Sequence, residues 1–452
     1  MFKKLGLIFK EKNILSLATS LIVALIGLLS FMLLTRTLEK ELFGDWVLFI
    51  TLSTFVDMLR FGLTSNALIR FASTDNVDIR TKYLGASYKI GLYAVLFFAV
   101  VLWATLGISN SLEIELNGGY KMFFLYYPFL ALLNLSWNNS VSYFQALQRF
   151  ERVLYIRLFT TVPFLLFLVL NYLYFGVGLD IILIAYLITN FIPSLFIFIK
   201  KWDGMAHISK ADSLVTREML TFGKFSMGTL VGTSLLKSAD TIIIGLSPVL
   251  GSVGIALYAI PLKLTEFLAI PLRSFSIAAY PRMSLLSHKN DIEGLKKLFY
   301  VYSGAVTCLF IPVVLFCFIF STELIFFLGG KNYVESMPLL VTIFRIFLIY
   351  SLIQPLDRFT GVALDSINRP KFNFYKVLLM ASANIIGDLI AVFWFNSLEA
   401  VAVVTVLFTL LGIIAGYVYL NKFISVSLYN VFKEGILFFG NIGLHFKTII
   451  RH

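Results

Sequence analysis

Apolar residues along this chain run in long blocks, interrupted by short polar segments. About twelve blocks of roughly 20 residues or more can be traced: 14–35, 43–69, 83–107, 121–148, 154–175, 179–199, 219–246, 252–281, 298–321, 337–365, 373–395 and 398–420. A bilayer core takes roughly 20 predominantly apolar residues per helix, so each block has the length of one crossing. None reads as the ten-residue alternation of a barrel strand. The pattern predicts an all-α polytopic membrane protein with about 12 transmembrane helices. The first block follows Lys3, Lys4, Lys10 and Lys12. It is too long for a signal-peptide core and no small-residue cleavage site follows, so it reads as a retained signal anchor.

Composition agrees. Of 452 residues, 59% are apolar and 14% charged, against about 45–50% and about 25% in soluble domains. A disordered, collagenous or disulfide-built chain is excluded. The net charge of +12 would suggest nucleic acid in a soluble protein. Its distribution gives another cause. With a cytoplasmic N-terminus, 24 of the 37 basic residues fall in alternate segments on the cytoplasmic side. Only Arg36, Lys40 and Lys331 fall in the opposite loops. Such an imbalance is the positive-inside signal of a plasma-membrane (cell inner membrane) protein with both termini cytoplasmic. Within the spans the excess is carried by Lys89, Lys121, Lys224 and Lys376, near span ends. Nucleic acid is not needed. Trp46, Trp103 and Trp394 fall near outer span ends and Trp202 near an inner one, the positions of an aromatic belt; Trp137 lies mid-span.

The polar stretch 200–218 divides six spans from six. The expected organisation is an N-terminal lobe (1–202), a cytoplasmic linker (203–218), a C-terminal lobe (219–424) and a cytoplasmic tail (425–452) whose apolar spacing suits an interfacial helix. Six is even, so the lobes should relate by a pseudo-two-fold along the membrane normal. Weak self-similarity supports a repeat. Phe43-Gly44-Asp45-Trp46 matches Val253-Gly254-Ile255-Ala256, and Ala146-Leu147-Gln148 matches Ala363-Leu364-Asp365. Pro261 and Pro271 predict a bent eighth span beside a cavity, although Pro is also common in membrane helices. The pairs Gly228/Gly232 and Gly412/Gly416 predict close helix packing.

Ionisable groups inside a span cost about 2.5–3.5 kcal/mol each on insertion scales and usually face a cavity. Here they concentrate in particular spans: Asp57 and Arg60 in span 2, Lys237 and Asp240 in span 7, Lys263, Glu266 and Arg273 in span 8, Arg345, Asp357 and Arg358 in span 10, and Asp388 in span 11. Asp57/Arg60, Lys237/Asp240 and Lys263/Glu266 are spaced i,i+3, so each pair could neutralise itself on one helix face. Arg273 and Arg345 have no such partner and are the better candidates for an anionic ligand, since a guanidinium can make two hydrogen bonds to a phosphate. Asp240, Glu266 and Asp388 are candidates for a coupling proton or Na⁺, because burial favours the protonated carboxyl. In span 4, Asn134, Trp137 and Asn138 could contact a sugar or serve as interhelical glue.

Cys308 and Cys317 are nine residues apart on one span, roughly 13 Å along a helix and too far for a disulfide. The four His make no metal-ligand spacing. There is no GxxxxGK[ST] loop, hence no ATP motor on this chain. No outer loop is long enough for a soluble catalytic domain, so an enzyme is not expected.

Taken together, these residues resemble a known family. They are Leu34-Thr35-Arg36-Thr37-Leu38, Phe43-Gly44-Asp45-Trp46, Phe61-Gly62-Leu63 with Arg70, and Asp240-Thr241-Ile242-Ile243-Ile244-Gly245. They continue through Val253-Gly254-Ile255-Ala256-Leu257-Tyr258, Pro281-Arg282-Met283-Ser284 and Ala363-Leu364 to Asn368-Arg369-Pro370-Lys371. The chain resembles the Wzx-type polysaccharide flippases, in the superfamily that also holds MATE exporters and lipid II flippases. The resemblance implies two six-helix lobes working by alternating access on an undecaprenyl-diphosphate-linked oligosaccharide, an O-antigen or capsule repeat unit of the kind used in lipopolysaccharide biosynthesis. It places substrate contact on Arg60 and Arg273, with Lys237, Lys263 and Arg345 in support, and ion coupling on Asp57, Asp240, Glu266 and Asp388. Span 1 holds no buried Arg, a departure from the lipid II branch. No cofactor is expected beyond H⁺ or Na⁺ as coupling ion. Candidate partners are membrane lipids, a polysaccharide polymerase and chain-length proteins. The alternatives are a cation-coupled multidrug exporter and a membrane polymerase or glycosyltransferase.

Overall fold

The computed structural model describes residues 12–450, and among them there is helix and no strand. The basic flank at Lys3, Lys4 and Lys10 lies outside the described residues. In chain order the helices are α1 (Lys12–Thr37), α2 (Lys40–Gly62), α3 (Ser65–Phe71), α4 (Val77–Ser111), α5 (Gly118–Ala146), α6 (Phe150–Leu170), α7 (Leu179–Ile199) and α8 (Ser213–Gly245). They continue as α9 (Gly251–Leu268), α10 (Ile270–His288), α11 (Ile292–Ile319), α12 (Ser321–Gly329), α13 (Met337–Ser366), α14 (Pro370–Phe393), α15 (Leu398–Asn421) and α16 (Leu428–Ile450). Among the described residues, 10 helical segments are long and apolar enough to cross a membrane. Helices α5 and α8, 29 and 33 residues long, match two further apolar blocks but carry more polar side chains and fall outside that set. The protein is a multi-pass all-α membrane protein.

Packing divides the chain into two compact units: Met1–Ala256 with Leu328–Asn332, and Leu257–Phe327 with Tyr333–His452. Helix α8 groups with the first unit because it lies against α2. Gly62 makes that approach possible, since a Cβ there would stand 3.0 Å from Met227 Cα, and Gly223 meets the Leu63 backbone. The GxxxG expectation fails at Gly228, which faces open space. The close contact on α8 falls at Gly223 instead. In the same unit, Thr35 Oγ1 donates to the Leu328 carbonyl at 2.7 Å and Asn332 Nδ2 donates to the Thr35 carbonyl at 3.3 Å. These bonds tie Leu328–Asn332 to the end of α1.

In the second unit, α15 lies on α13 through Gly412 and Gly416. Their absent Cβ atoms leave room for Asp357 Oδ1 and the Thr360 side chain, and here the GxxxG expectation holds. Pro271 interrupts the helix at Ala269, sitting in the first turn of α10 where its missing N–H costs nothing. The helix of the eighth span is interrupted there, between α9 and α10. Helix α16 runs along α11, and Gly304 and Gly435 let the two backbones touch.

Helices α5 and α13 end alike. Gln148 and Asn368 are left-handed, at φ 54° and 58°, and the following Arg149 and Arg369 each donate a backbone N–H at 2.9 Å, to Phe144 and Leu364. The same turn closes α4, α7 and α10, at Glu113, Lys201 and Asn290, so it marks helix ends in general and carries no information about an internal repeat.

One aromatic-belt assignment also changes. Trp103 and Trp394 are exposed, but Trp46 is buried, stacked on Phe164 and edge-on to Tyr186. Its indole is a core element of the first unit. Cys308 and Cys317 are both free thiols.

Candidate functional site

The two i,i+3 residues of α2 meet one face of α5. Asp57 accepts hydrogen bonds from Arg60 Nη2 at 2.6 Å, Tyr127 OH at 2.8 Å and Asn134 Nδ2 at 3.2 Å. Tyr127 and Asn134 are two turns apart on α5, and between them the Ala131 carbonyl accepts from Arg60 Nη1 at 2.6 Å. Asn134 Oδ1 accepts from Trp137 Nε1 at 3.1 Å. The Arg157 guanidinium of α6 lies 5.1 Å from the Trp137 ring centre, within cation–π range. Arg60 is 0% exposed, its Nε has no hydrogen-bond partner among the described residues, and its guanidinium lies over the Phe61 ring. A carboxylate with three donors and a guanidinium with two acceptors make a neutral, largely satisfied cluster.

Both terminal nitrogens of the Arg60 fork are engaged, by Asp57 and by the Ala131 carbonyl, so the guanidinium can meet an anion only by leaving one of these partners.

A second buried pair lies between α13 and α14. Lys376 Nζ donates to Asp357 Oδ1 at 2.8 Å, to the Asp357 carbonyl at 2.9 Å and to Thr360 Oγ1 at 3.3 Å. Lys376 is 3% exposed. All three ammonium protons have an acceptor. Further along α14, Asn384 and Asp388 are fully enclosed, one turn apart.

The remaining candidates are dispersed. Lys263 and Glu266 form a 3.2 Å ion pair on α9, Lys263 half-buried and Glu266 exposed. Arg273, beyond the Ala269 interruption, is exposed. Arg345 is exposed near the start of α13, with Nε 3.4 Å from Ser321 Oγ and its guanidinium over Phe318. On α8, Lys237 is exposed and Asp240 buried. Asn138 is half-buried and its carbonyl accepts from Ser142 Oγ. The structure therefore joins Asp57, Arg60, Asn134 and Trp137, and pairs Lys263 with Glu266. It leaves Asn138 outside the α2–α5 cluster.

Several groups escaped the sequence reading. Tyr127 could have been found from its seven-residue spacing to Asn134. Lys376 was read as a span-end lysine, yet it is the seventh residue of α14 and enclosed. Asp45 accepts from the Ser252 hydroxyl and, at 2.9 Å, from the Gly119 N–H. It thereby ties the starts of α2, α5 and α9 together. At the opposite end of α5, Ser136 Oγ donates to Asp203 Oδ2 at 3.0 Å, and Asn139 Nδ2 donates to the Asp203 carbonyl. Burial pushes the Asp203 carboxyl above the usual range, against the lowering effect of its hydrogen bonds to Met205 and Ser136. Burial pushes His207 down, helped by the nearby Lys210 charge.

The fold is shared with solved transporters of the MOP superfamily. An inward-facing MATE-family multidrug resistance transporter of that superfamily superimposes with a TM-score of 0.74 at 14% identity, over 88% of this chain and 93% of that one. The lipid II flippase MurJ, in an inward closed conformation, matches at 0.69 with 15% identity, over 94% of this chain and 90% of that one. A MOP superfamily transporter from Pyrococcus furiosus Vc1 matches at 0.62 with 14% identity, over 90% and 93%. These similar folds belong to transporters and a flippase. No curated sequence matches at a significant level. A family profile described as "Polysaccharide biosynthesis protein" matches residues 11–287, more than half of the chain, and one described as "MatE" matches 226–390. The chain belongs to the polysaccharide biosynthesis protein family.

Proposed function

We propose that this protein flips an undecaprenyl-diphosphate-linked oligosaccharide, an O-antigen or capsular repeat unit, from the inner to the outer leaflet of the plasma membrane by alternating access. We place the linker between its two six-span halves at 203–218, although α8 packs with the first unit, and both termini on the cytoplasmic side. The observation that carries this reading is the buried Asp57–Arg60 pair in a membrane chain of a polysaccharide biosynthesis family. A diphosphate supplies the divalent anion that Arg60 can accept when Asp57 takes up a proton or cation. Arg273, Lys237, Lys263 and Arg345 add positive charge along the path. Asp240, Glu266 and Asp388 are the further coupling candidates, with H⁺ or Na⁺ as the ion. Asn134, Trp137 and Asn138 offer amide and indole contacts to sugar. A polysaccharide polymerase and chain-length proteins are the proposed partners. A strain lacking the protein should lose surface polysaccharide and accumulate the lipid-linked precursor. Normal polysaccharide in a strain with no other flippase would sink the proposal.

The match of the MatE profile to residues 226–390 favours one second reading, a cation-coupled drug exporter. A drug-susceptibility panel separates the two, since the exporter predicts sensitised cells with intact polysaccharide.

A further inference from the structure

Arg157 stands apart from the charge pairs described above. It lies on α6 two residues beyond Tyr155, the first of an exposed apolar stripe that continues through Phe159, Leu166 and Leu170. Two residues turn a helix by about 200°, so Arg157 leaves α6 on the side opposite that stripe, toward the inside of the first unit. Val153 and Ile156, beside it on α6, are buried in one cluster with Trp137. Arg157 itself is only half-buried, so its accessible part opens to the protein interior and not to lipid. Its guanidinium lies over the Trp137 ring, 5.1 Å from the centre, and among the described residues it makes no hydrogen bond or ion pair. A cation held in a membrane span without a counter-ion is costly, and such groups face water or a ligand. The platform beneath it is fixed. Trp137 Nε1 donates to Asn134 Oδ1, and Asn134 Nδ2 donates to Asp57. Asn138, one turn beyond Asn134 on α5, is half-buried, and its side-chain amide makes no hydrogen bond among the described residues.

We propose that Arg157, seated on Trp137, is a specificity-determining residue that receives the carboxylate of an acidic sugar in the translocated oligosaccharide. This rests on the flippase reading above. An aromatic ring attracts the guanidinium charge but takes none of its N–H donors in a hydrogen bond, so the whole fork stays free for a planar acceptor. A carboxylate accepts two of those donors side by side. Arg60 differs, because its fork is already held by Asp57 and the Ala131 carbonyl. Arg157 binds without exchanging partners. Charge favours a carboxylate over the diphosphate of the carrier. A lone guanidinium balances one negative charge, and a diphosphate carries more than one. The other cation of α6, Arg152, is turned about 140° around the helix from Arg157, and its guanidinium lies over Phe144 and Trp202. The Asn138 amide supplies a donor and an acceptor for a sugar hydroxyl.

The test uses the full-length protein in phosphatidylcholine nanodiscs, labelled with 5-fluorotryptophan. Of its five tryptophans, Trp137 is assigned in the ¹⁹F spectrum by the resonance lost in Trp137→Phe. Glucuronic acid, glucose and inorganic diphosphate are titrated separately. Glucuronate should shift the Trp137 resonance saturably, and glucose should leave it in place. Arg157→Gln should weaken glucuronate binding by roughly tenfold or more, the loss of a charge-assisted pair. Arg157→Lys, which keeps the charge without the fork, should fall between Gln and wild type. Because Arg157 holds no protein acceptor, Arg157→Gln should unfold thermally no earlier than the wild type. A lower unfolding midpoint would make Arg157 a structural residue and overturn the proposal. So would an unchanged Trp137 resonance, an equal shift with glucose, or equal binding by Arg157→Gln. Diphosphate binding as tightly as glucuronate would also overturn it, by assigning the site to the carrier. Complementation of polysaccharide export in parallel separates the two readings. Glucuronate binding at Arg157 in a protein whose loss leaves polysaccharide intact is a failure of the flippase reading. Export that needs the protein, with no glucuronate binding, is a failure of this site.

Discussion

Removing one partner of the Asp57–Arg60 pair should cost unequal amounts, depending on which is removed. Breaking a buried ion pair costs about 3–5 kcal/mol because a charge is left uncompensated. In Arg60→Gln the survivor is Asp57, whose side chain is 18% exposed and which keeps Tyr127 and Asn134 as donors. That case belongs at the lower end, about 3 kcal/mol. In Asp57→Leu the survivor is Arg60, whose side chain is 0% exposed, held by the neutral Ala131 carbonyl and the Phe61 ring. That case belongs at the upper end, about 5 kcal/mol. The double variant Asp57→Leu/Arg60→Met leaves no orphan charge and should recover at least about 2 kcal/mol relative to the worse single variant. Guanidinium or thermal unfolding of the purified protein in detergent measures all three, with export complementation in parallel. The double variant should be folded yet inactive. The reasoning fails if the two single variants cost the same within about 0.5 kcal/mol and add in the double, because contacting charges do not add.

Four further outcomes follow from the contacts described above. Lys376→Met should destabilise by about 3–5 kcal/mol and be largely rescued by Asp357→Leu in the same chain; a loss below about 1 kcal/mol in the unfolding midpoint would show the pair to be solvated. Asp45→Ala removes one acceptor from the Ser252 hydroxyl and the Gly119 N–H, but both keep Asn117 Oδ1 at 2.9 Å, so the single variant should cost only about 1 kcal/mol and Asp45→Ala/Asn117→Ala, which strands both donors, clearly more in thermal unfolding. For pH, the raised Asp203 carboxyl means that the folded state holds its proton more tightly than the unfolded chain does. Its contribution to stability is therefore lost as pH rises from about 4 through the folded value, and Asp203→Asn should flatten that slope in thermal unfolding. His207, pushed down, works oppositely. Stability should fall as pH drops from about 6.5 toward its lowered value, and His207→Gln should remove that fall.

The sequence alone determined the class of protein. A bilayer imposes a minimum apolar length and a basic asymmetry on every crossing helix, so both are written into composition and order. The Asp57–Arg60 pair was legible for the same reason, since helical geometry fixes i,i+3 neighbours. Partners on other helices were not legible. Nothing in the spacing of Asp357 announces Lys376, and nothing in the Asp45 motif announces Ser252, 207 residues away. Hydropathy placed Trp46 at an interface, but ring packing against Phe164 and Tyr186 buried it. The tertiary structure alone decided which helices touch and where glycine lets them. Those contacts determine which charges are neutralised and which stay open to a ligand, because a buried charge takes its meaning from the groups around it.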